Sequence, residues 1–414
     1  AVLLPSSDPH LSEYLPGRWQ GREWFSGFTG SMGTLAVLAG RAALFADSRY
    51  WVQAEAELAG SGVELVKIGT PTAPGHVDWI AQALRPGQTL AVDGAVLGLA
   101  AAQQLRAAME AAGIRLATAE DPLAGAWPER TALPAAPVYE HRAPQAPTPR
   151  AAKLAQVREA MAQRGASHHL VSTLDDLAWL FNLRGADVDY NPVFLAHALI
   201  DARRAELFVG AGKVDAALAA ALAADGIDLR PYEAARTTLA ALPAGSTLLI
   251  DPKRVTLAFR EAVAPGVKVV EAVNPSTLAK SRKTPEEAAF VREAMARDGA
   301  AMCAFYAWFE QALGREAITE LTVAERLSAE RMKQPGYVSL SFPVIAGFAG
   351  NGAMPHYRAT PDAHALISTP RGVAADSLLL IDSGAQYLGG TTDVTRVWPI
   401  GTPSAAMKRD YTLV

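Results

Sequence analysis

The sequence predicts an α/β and α+β protein in which two tandem α/β domains precede a third domain of a different kind. Strand-like apolar runs alternate with helical stretches near the start of the chain, which is typical of α/β layers. A weak repeat of that pattern follows a proline-rich stretch, and a strongly capped helix opens the last part. The predicted domains are therefore residues 1–133, 151–278 and 279–414, with a linker at residues 134–150.

The first domain is predicted from its local patterns. Apolar runs at residues 34–38 and 42–45 have the length and composition of strands, and residues 50–59 and 98–112 have helical spacing. The linker contains five prolines between residues 134 and 149, which favours an extended connector over a helix or a central strand.

A weak repeat predicts the second domain. Trp24 is followed by a glycine, an apolar run and then Phe45, and Trp179 is followed by the same features and then Phe208. The second copy is longer because it contains extra residues around Tyr190. Two related α/β domains in tandem explain this similarity, and chance similarity in an alanine-rich chain is the alternative.

The third domain opens on a capping box. Thr284 has the side chain of an N-cap, proline follows at the first helical position, and Glu287 stands three residues after the cap. Thr322, with Glu325 three residues later, predicts the start of a second helix. Strands are predicted at residues 342–346 and 377–381.

Asp382 and Asp393 lie ten residues apart in the most informative segment of the chain. The apolar run at residues 378–381, the glycine pair at 389–390 and the β-branched residues at 391–397 predict two adjacent strands, each carrying one carboxylate. Neighbouring carboxylates repel unless a cation lies between them, and hard divalent ions prefer oxygen ligands. Two unrelated surface aspartates flanking a hairpin are the alternative, since aspartate is common beside turns.

His356 lies in a glycine-bearing loop between two of the predicted strands. A histidine can orient a reacting group, donate a proton to it or accept one from it, provided that the fold brings the ring beside the metal. From its loop position alone, His356 is a candidate functional residue.

Bulk properties exclude several classes. The 414 residues carry a net charge of −4 without a long basic run, which gives no electrostatic case for nucleic acid or an anionic membrane. No stretch reaches the roughly 18 apolar residues of a membrane span. Cys303 is the single cysteine, so no internal disulfide can form, which is compatible with a cytoplasmic location. The nucleotide-binding P-loop, the zincin His-Glu-x-x-His and the hydrolase Gly-x-Ser-x-Gly do not occur.

Four blocks of sequence together resemble one family, the three-domain Xaa-Pro aminopeptidases known as aminopeptidase P. The resemblance covers essentially the whole chain, and the aspartate segment is its most specific part. The blocks are Ser26-Gly-Phe-Thr-Gly-Ser31, Asn182-Leu-Arg-Gly185, Asn351-Gly-Ala-Met-Pro-His-Tyr357 and Asp382-Ser-Gly-Ala-Gln-Tyr-Leu-Gly-Gly-Thr-Thr-Asp-Val-Thr-Arg396.

The resemblance implies two creatinase-type N-terminal domains followed by a pita-bread metallopeptidase domain. It also implies release of the N-terminal residue from peptides with proline second, using two divalent ions, manganese first, with zinc or cobalt as alternatives. By position, Asp382 would bind one ion, Asp393 would bridge both, and His356 would steady the scissile carbonyl or its oxyanion. A hydroxide bridging the ions would attack the carbonyl, because two ions lower the pKa of water and polarise the carbonyl together.

The sequence departs from the family pattern at its end. The family site has five ligands, and its later histidine and two glutamates have no counterpart before Val414. We therefore expect these residues to be the front part of a longer polypeptide that holds only the beginning of the pita-bread domain. Residues 1–414 alone should bind metal weakly, because two carboxylates leave most of each coordination shell to water.

Two other functions remain open. A non-enzymatic pita-bread binding or chaperone module is one, although the two aspartates and His356 argue against it. A prolidase acting on Xaa-Pro dipeptides is the other, but prolidases usually have one N-terminal domain, whereas about 280 residues precede Thr284 here. The expected partners are peptide substrates and, by resemblance to the family, a second copy of the chain in a homodimer, with neither nucleic acid nor membrane.

Overall fold

The computed structural model describes residues 1–69 and 75–414. The chain forms two compact units. The first contains residues 1–189 and 193–283, and the second contains Tyr190–Pro192 and Thr284–Val414. Within the described residues, no helix is both long and apolar enough to cross a bilayer.

The N-terminal half of the first unit is built on a six-stranded mixed sheet in the order β4-β3-β2-β1-β5-β6. Its strands are β1 (Val2–Pro5), β2 (Thr34–Leu38), β3 (Arg41–Ala46), β4 (Val63–Lys67), β5 (Thr89–Ala91) and β6 (Arg115–Ala117). Its helices are α1 (Gly21–Ser26), α2 (Trp51–Glu57), α3 (His76–Ala83) and α4 (Leu99–Ala111). The strands and helices predicted here are thus all present, each within two residues of its predicted bounds.

The second half of this unit repeats the first. Its sheet has the order β12-β11-β10-β8-β13-β14, and the parallel and antiparallel pairings fall at equivalent places in the two sheets. The strands are β8 (His168–Val171), β10 (Ala196–Asp201), β11 (Ala205–Val209), β12 (Ile227–Pro231), β13 (Thr247–Ile250) and β14 (Lys268–Glu271), with β7 (Tyr139–Glu140) and β9 (Leu183–Arg184) forming a separate pair. The helices are α5 (Arg150–Gln163), α6 (Leu174–Leu180), α7 (Ala216–Ala224), α8 (Ala235–Ala240), α9 (Leu257–Ala262) and α10 (Pro275–Ser281).

The repeat seen in the sequence therefore corresponds to equivalent elements. Trp24 lies in α1 and Trp179 in α6, each of which follows the first strand of its sheet, and Phe45 and Phe208 lie in the equivalent strands β3 and β11. The prediction of two related α/β domains is confirmed, and the extra residues of the second copy lie between β9 and β10.

The two α/β halves share a hydrophobic core, which includes Leu3, Phe45 and Leu90 from the first half and Phe208 and Leu248 from the second. Backbone hydrogen bonds also join them, since the Leu99 amide donates to the Val255 carbonyl oxygen and the Leu257 amide donates to the Leu97 carbonyl oxygen. Contacts therefore unite the halves into one unit. The domain boundaries drawn from the sequence stay predictions.

The second unit combines three helices, of which the first two pack together, with three small sheets. Its helices are α11 (Pro285–Ala312), α12 (Glu320–Met332) and α13 (Ala405–Leu413). Its strands are β15 (Ile318–Thr319), β16 (Tyr337–Leu340), β17 (Ile345–Phe348), β18 (Leu366–Thr369), β19 (Gly372–Val373), β20 (Ser377–Ser383), β21 (Ala385–Tyr387), β22 (Gly390–Thr391) and β23 (Val394–Ile400). The sheets have the orders β15-β18-β19, β16-β21-β22 and β17-β20-β23.

The cap of the first long helix is confirmed, whereas that of the second was placed three residues too late. Thr284 accepts from the Glu287 amide at 3.2 Å, and the Glu287 carboxylate accepts from the Thr284 amide at 2.9 Å. In α12 the N-cap is Thr319, because Thr319 and Thr322 form the reciprocal pair and Thr322 is the N3 residue.

The predicted bounds of two strands in the second unit were wrong. The strand predicted at 342–346 begins only at Ile345. Pro343 lies before it, because proline has no N–H to donate to a neighbouring strand. The single strand predicted at 391–397 is divided, since Thr391 belongs to β22 and the next strand begins at Val394. Asp393 therefore lies just before a strand and not within it.

Candidate metal centre

The strand pair β20–β23 places the two aspartates. The burial of β20 alternates, and its buried residues Leu379 and Ile381 face the core formed with α11 and α12. Asp382 points to the opposite face, as the period of two in a strand requires. The antiparallel register pairs Asp382 with Thr395 and continues for seven residue pairs.

Asp393 lies beside Asp382 on this face. It precedes Thr395 by two residues, so it occupies the diagonal position relative to Asp382, which is within reach of long or charged side chains. Partial desolvation raises the pKa of Asp393, and the negative charge of Asp382 and a side-chain hydrogen bond with it raise that pKa further. The structure therefore brings together the two carboxylates predicted to meet on neighbouring strands.

The two carboxylates differ in exposure and support. Asp382 is half-buried and accepts a hydrogen bond from the Thr395 hydroxyl, at 2.8 Å to its Oδ1 atom, whereas Asp393 is exposed. Thr395 is thus a site residue that the sequence interpretation did not single out. Its place opposite Asp382 follows from the register of the ladder, which the spacing of the aspartates alone does not supply.

Two hydrogen bonds between Ala385 and Thr392 close the segment between the aspartates. The Ala385 amide donates to the Thr392 hydroxyl at 2.9 Å, and the Thr392 amide donates to the Ala385 carbonyl oxygen at 2.8 Å. A side chain at Gly384 would overlap the Thr392 carbonyl oxygen and the Ser341 hydroxyl, so only glycine fits there. These bonds hold together the two ends of the β21–β22 hairpin, where the chain leaves Asp382 and returns to Asp393.

A buried ion pair supports that hairpin. Asp298 of α11 accepts from Arg331 of α12 through Nε at 2.7 Å and Nη2 at 2.9 Å, and both side chains are fully buried. The hydroxyl of Tyr387, at the end of β21, donates to the same carboxylate at 3.0 Å. Burial raises the pKa of Tyr387, and so does the charge of Asp298, so this hydroxyl stays protonated as a donor.

His356 lies in a turn that follows the 3₁₀ helix Ala349–Ala353, and its side chain is exposed. The helix continues from β17, which pairs with β20 so that Ile345 lies opposite Asp382. The loop then folds back over the sheet, because a Cβ on Gly352 would lie 3.6 Å from the Leu380 Cβ. Leu380 shares a face of β20 with Asp382, so the part of the loop around Gly352 lies on the same face of the sheet as Asp382.

The donor set near the aspartates is small. Within residues 1–69 and 75–414, no group of three or more histidine, cysteine, aspartate or glutamate side chains is placed to hold a metal ion. What the described residues offer is one carboxylate pair whose mutual repulsion a cation would relieve. Oxygen donors of this kind suit manganese or magnesium and are also used by zinc. The metal-binding roles of Asp382 and Asp393 and the catalytic role of His356 stay predictions.

Models of known protein families match the chain in three consecutive blocks. Residues 11–124 and residues 129–287 each match a model described as the creatinase/prolidase N-terminal domain. Residues 289–414 match the model described as metallopeptidase family M24. The aspartate pair and His356 all lie within this third block.

Individual proteins match over the whole chain. A "Probable Xaa-Pro aminopeptidase P" of Chaetomium globosum is 36% identical over 430 residues, which cover all of this chain and 67% of that protein. "Aminopeptidase P2" of Arabidopsis thaliana is 33% identical, with all of this chain and 62% of that protein covered. The chain thus spans about two thirds of the length of these curated relatives.

A solved structure shares the fold. The X-prolyl aminopeptidase from Caenorhabditis elegans, described as "a cytosolic enzyme with a di-nuclear active site", superposes with a TM-score of 0.90 at 28% identity. The match covers 98% of this chain and 66% of that one.

Proposed function

The chain belongs to the Xaa-Pro aminopeptidase P family of the M24 metallopeptidases, which confirms the family and fold class predicted from the sequence, and from that premise we propose that the protein releases the N-terminal residue from peptides with proline second. One observation carries this proposal. Asp382 on β20 and Asp393 just before β23 lie in diagonal positions and form a carboxylate pair suited to divalent cations.

The proposed site holds two divalent ions, manganese first, with zinc or cobalt as alternatives. Asp382 would bind one ion, and the hydrogen bond from Thr395 would keep its carboxylate oriented. Asp393 would be shared by both ions, consistent with its exposed position beside Asp382. When bound, two divalent ions supply Lewis-acid chemistry, which polarises a carbonyl and makes water more acidic.

His356 would act on the substrate from the loop above the sheet. An imidazole N–H presented over the carboxylate face can donate a hydrogen bond to the oxygen of the scissile carbonyl, where negative charge develops during attack. The exposed position of the side chain leaves it accessible to a peptide.

The proposal concerns the full-length protein. The further histidine and two glutamates that the family resemblance implies belong to the proposed site as well, and residues 1–414 span about two thirds of the length of the relatives. We further propose that the protein acts in the cytoplasm and as a homodimer. The cytosolic description of the nematode enzyme supports the first of these, and light scattering of the purified protein would test the second.

Hydrolysis of an Xaa-Pro-Pro tripeptide by the full-length protein tests the proposal. We expect release of the N-terminal residue, loss of that release after chelation, and recovery on adding Mn²⁺. A matched Xaa-Ala-Pro peptide is the control and should be a much poorer substrate. Unchanged activity after thorough removal of metal would refute the proposed chemistry. Faster cleavage of the Xaa-Pro dipeptide than of the tripeptide would favour a prolidase, and no cleavage of either would favour a binding module.

A further inference from the structure

Glu320, the first residue of α12, is fully buried and uses both carboxylate oxygens as acceptors. Its Oε1 accepts from the Phe348 amide at 2.7 Å and from Asn351 Nδ2 at 3.0 Å. Its Oε2 accepts from the Tyr357 hydroxyl at 2.7 Å and from the Ala365 amide at 2.6 Å, with Asn351 also within 3.2 Å. The sequence interpretation assigned no role to this residue.

All of these donors belong to the segment that contains His356. Asn351 precedes the histidine within the 3₁₀ helix, and Tyr357 follows it directly in sequence. Asn351 Nδ2 also donates to the Tyr357 hydroxyl oxygen at 3.0 Å, so the two side chains that flank His356 are joined to each other as well as to Glu320. Glu320 therefore fixes both sides of the His356 turn.

Physical considerations favour a specific function for this arrangement. A buried carboxylate is costly unless its oxygens are fully hydrogen-bonded, and an apolar residue would be the less costly way to fill the same space. The N-terminus of α12 lowers part of that cost, because the helix dipole favours a negative charge there. The hydrogen bonds to Glu320 offset the loss of conformational entropy when an otherwise exposed turn becomes ordered, which costs about 1–2 kcal/mol for each residue.

We propose that Glu320 is a positioning residue for the peptidase reaction, holding Asn351 and Tyr357 so that the imidazole of His356 is presented over the face that carries Asp382 and Asp393. The inference rests on the proposed function. Burial raises the pKa of Tyr357, and the hydrogen bond to Glu320 and its charge raise it further, so the tyrosine remains a donor to Glu320 throughout the neutral pH range.

The test compares Glu320→Gln with the wild type in the full-length, metal-loaded protein. Glutamine keeps the shape and one acceptor oxygen, but its amide group places N–H donors opposite other donors. Because displacing a catalytic group by about 1 Å costs roughly a hundredfold, we expect kcat to fall by about 10- to 100-fold, with KM changed by less than about threefold. Metal content should stay at the wild-type value. Loss of bound metal, or a change in KM alone, would overturn the proposal.

Coupling to His356 separates positioning from a general structural effect. If Glu320 acts through the histidine, the double variant Glu320→Gln/His356→Ala should have the same kcat as His356→Ala alone, within about twofold. Independent losses that multiply would overturn the inference. Glu325→Gln is the matched control, because Glu325 is an exposed glutamate on the same helix, and its kcat should equal that of the wild type.

A milder variant and a local measurement cover the case in which Glu320→Gln does not fold. Tyr357→Phe removes a single donor to Glu320 and keeps the ring, so it should lower kcat by about 3- to 10-fold and speed hydrogen exchange in residues 349–357. Unchanged exchange there would overturn the anchoring role. If the wild type itself cleaves no Xaa-Pro peptide, the proposed function fails, whereas the exchange measurement still decides whether the Glu320 network orders the His356 turn.

Discussion

The buried pair of Asp298 and Arg331 yields a prediction about the stability of the second unit. Asp298→Ala removes a carboxylate that accepts two bonds from Arg331 and one from Tyr387, all between 2.7 and 3.0 Å. Arg331 is fully buried, so the variant leaves an uncompensated charge in the core, a change that costs about 3–5 kcal/mol in other proteins. The free energy of unfolding of this unit should fall by that amount.

Urea unfolding followed by hydrogen-exchange mass spectrometry would measure this change in each unit separately. With a slope of about 2 kcal/mol per molar urea, a loss of about 4 kcal/mol lowers the midpoint by about 2 M. Peptides from α11 and α12 should report that shift, whereas peptides from β8 and β10 in the first unit should not. An unchanged midpoint in α11 would show that the ion pair is not needed for stability.

Glu293→Ala is the matched control for this experiment. Glu293 lies on the same helix and pairs with Arg297 one turn away, but both side chains are substantially exposed to solvent. Surface pairs at this spacing contribute only about 0.3–0.5 kcal/mol, so the midpoint should move by no more than about 0.3 M. An equal shift in both variants would refute the reasoning from burial.

Three further predictions concern the site and the first unit. His356→Ala should reduce kcat while the bound metal stays constant, and loss of metal measured by mass spectrometry would instead identify His356 as a ligand. Residues 1–414 alone should bind Mn²⁺ with a dissociation constant weaker than about 0.1 mM in electron paramagnetic resonance titrations, and tight binding would contradict a two-carboxylate donor set. The first unit should lose stability as the pH falls from 7 to 5, because burial lowers the pKa of six of its histidines below the ordinary value near 6.5 and the unfolded chain therefore takes up protons first. Three of them are almost completely buried, namely His10, His169, whose pKa falls to about 4, and His197. Thermal unfolding midpoints that stay flat over this range would contradict the third prediction.

Local patterns in the sequence predicted much of the fold. Capping at Thr284, the two predicted strands of the first sheet and each copy of the repeat that begins at Trp24 and Trp179 depend on residues close to one another in the chain, and the structure contains each of them. The shared core of the two α/β halves depends on contacts between distant segments, for example from Leu97 to Leu257, which no local pattern reveals.

The aspartate pair was predictable for the same reason, whereas the role of Glu320 was not. Asp382 and Asp393 lie on one hairpin-like segment, so strand propensity and turn signals were enough to bring them together. Glu320 has the sequence appearance of an ordinary acidic residue in the first turn of a helix, and its partners lie 28 to 45 residues away. The burial of Asp298 could have been predicted from the sequence, because this residue interrupts an apolar helix face between Ala294 and Met302.

The metal content and activity of Asp393→Asn test the central claim most directly. In the full-length protein, inductively coupled plasma mass spectrometry should find two ions in each wild-type chain and no more than one in the variant, and Xaa-Pro-Pro cleavage should be abolished. Asp362→Asn, at an exposed loop position in the same unit, should retain both ions and full activity. Two bound ions with near-normal turnover in Asp393→Asn would contradict the proposal that this carboxylate is shared by both metals.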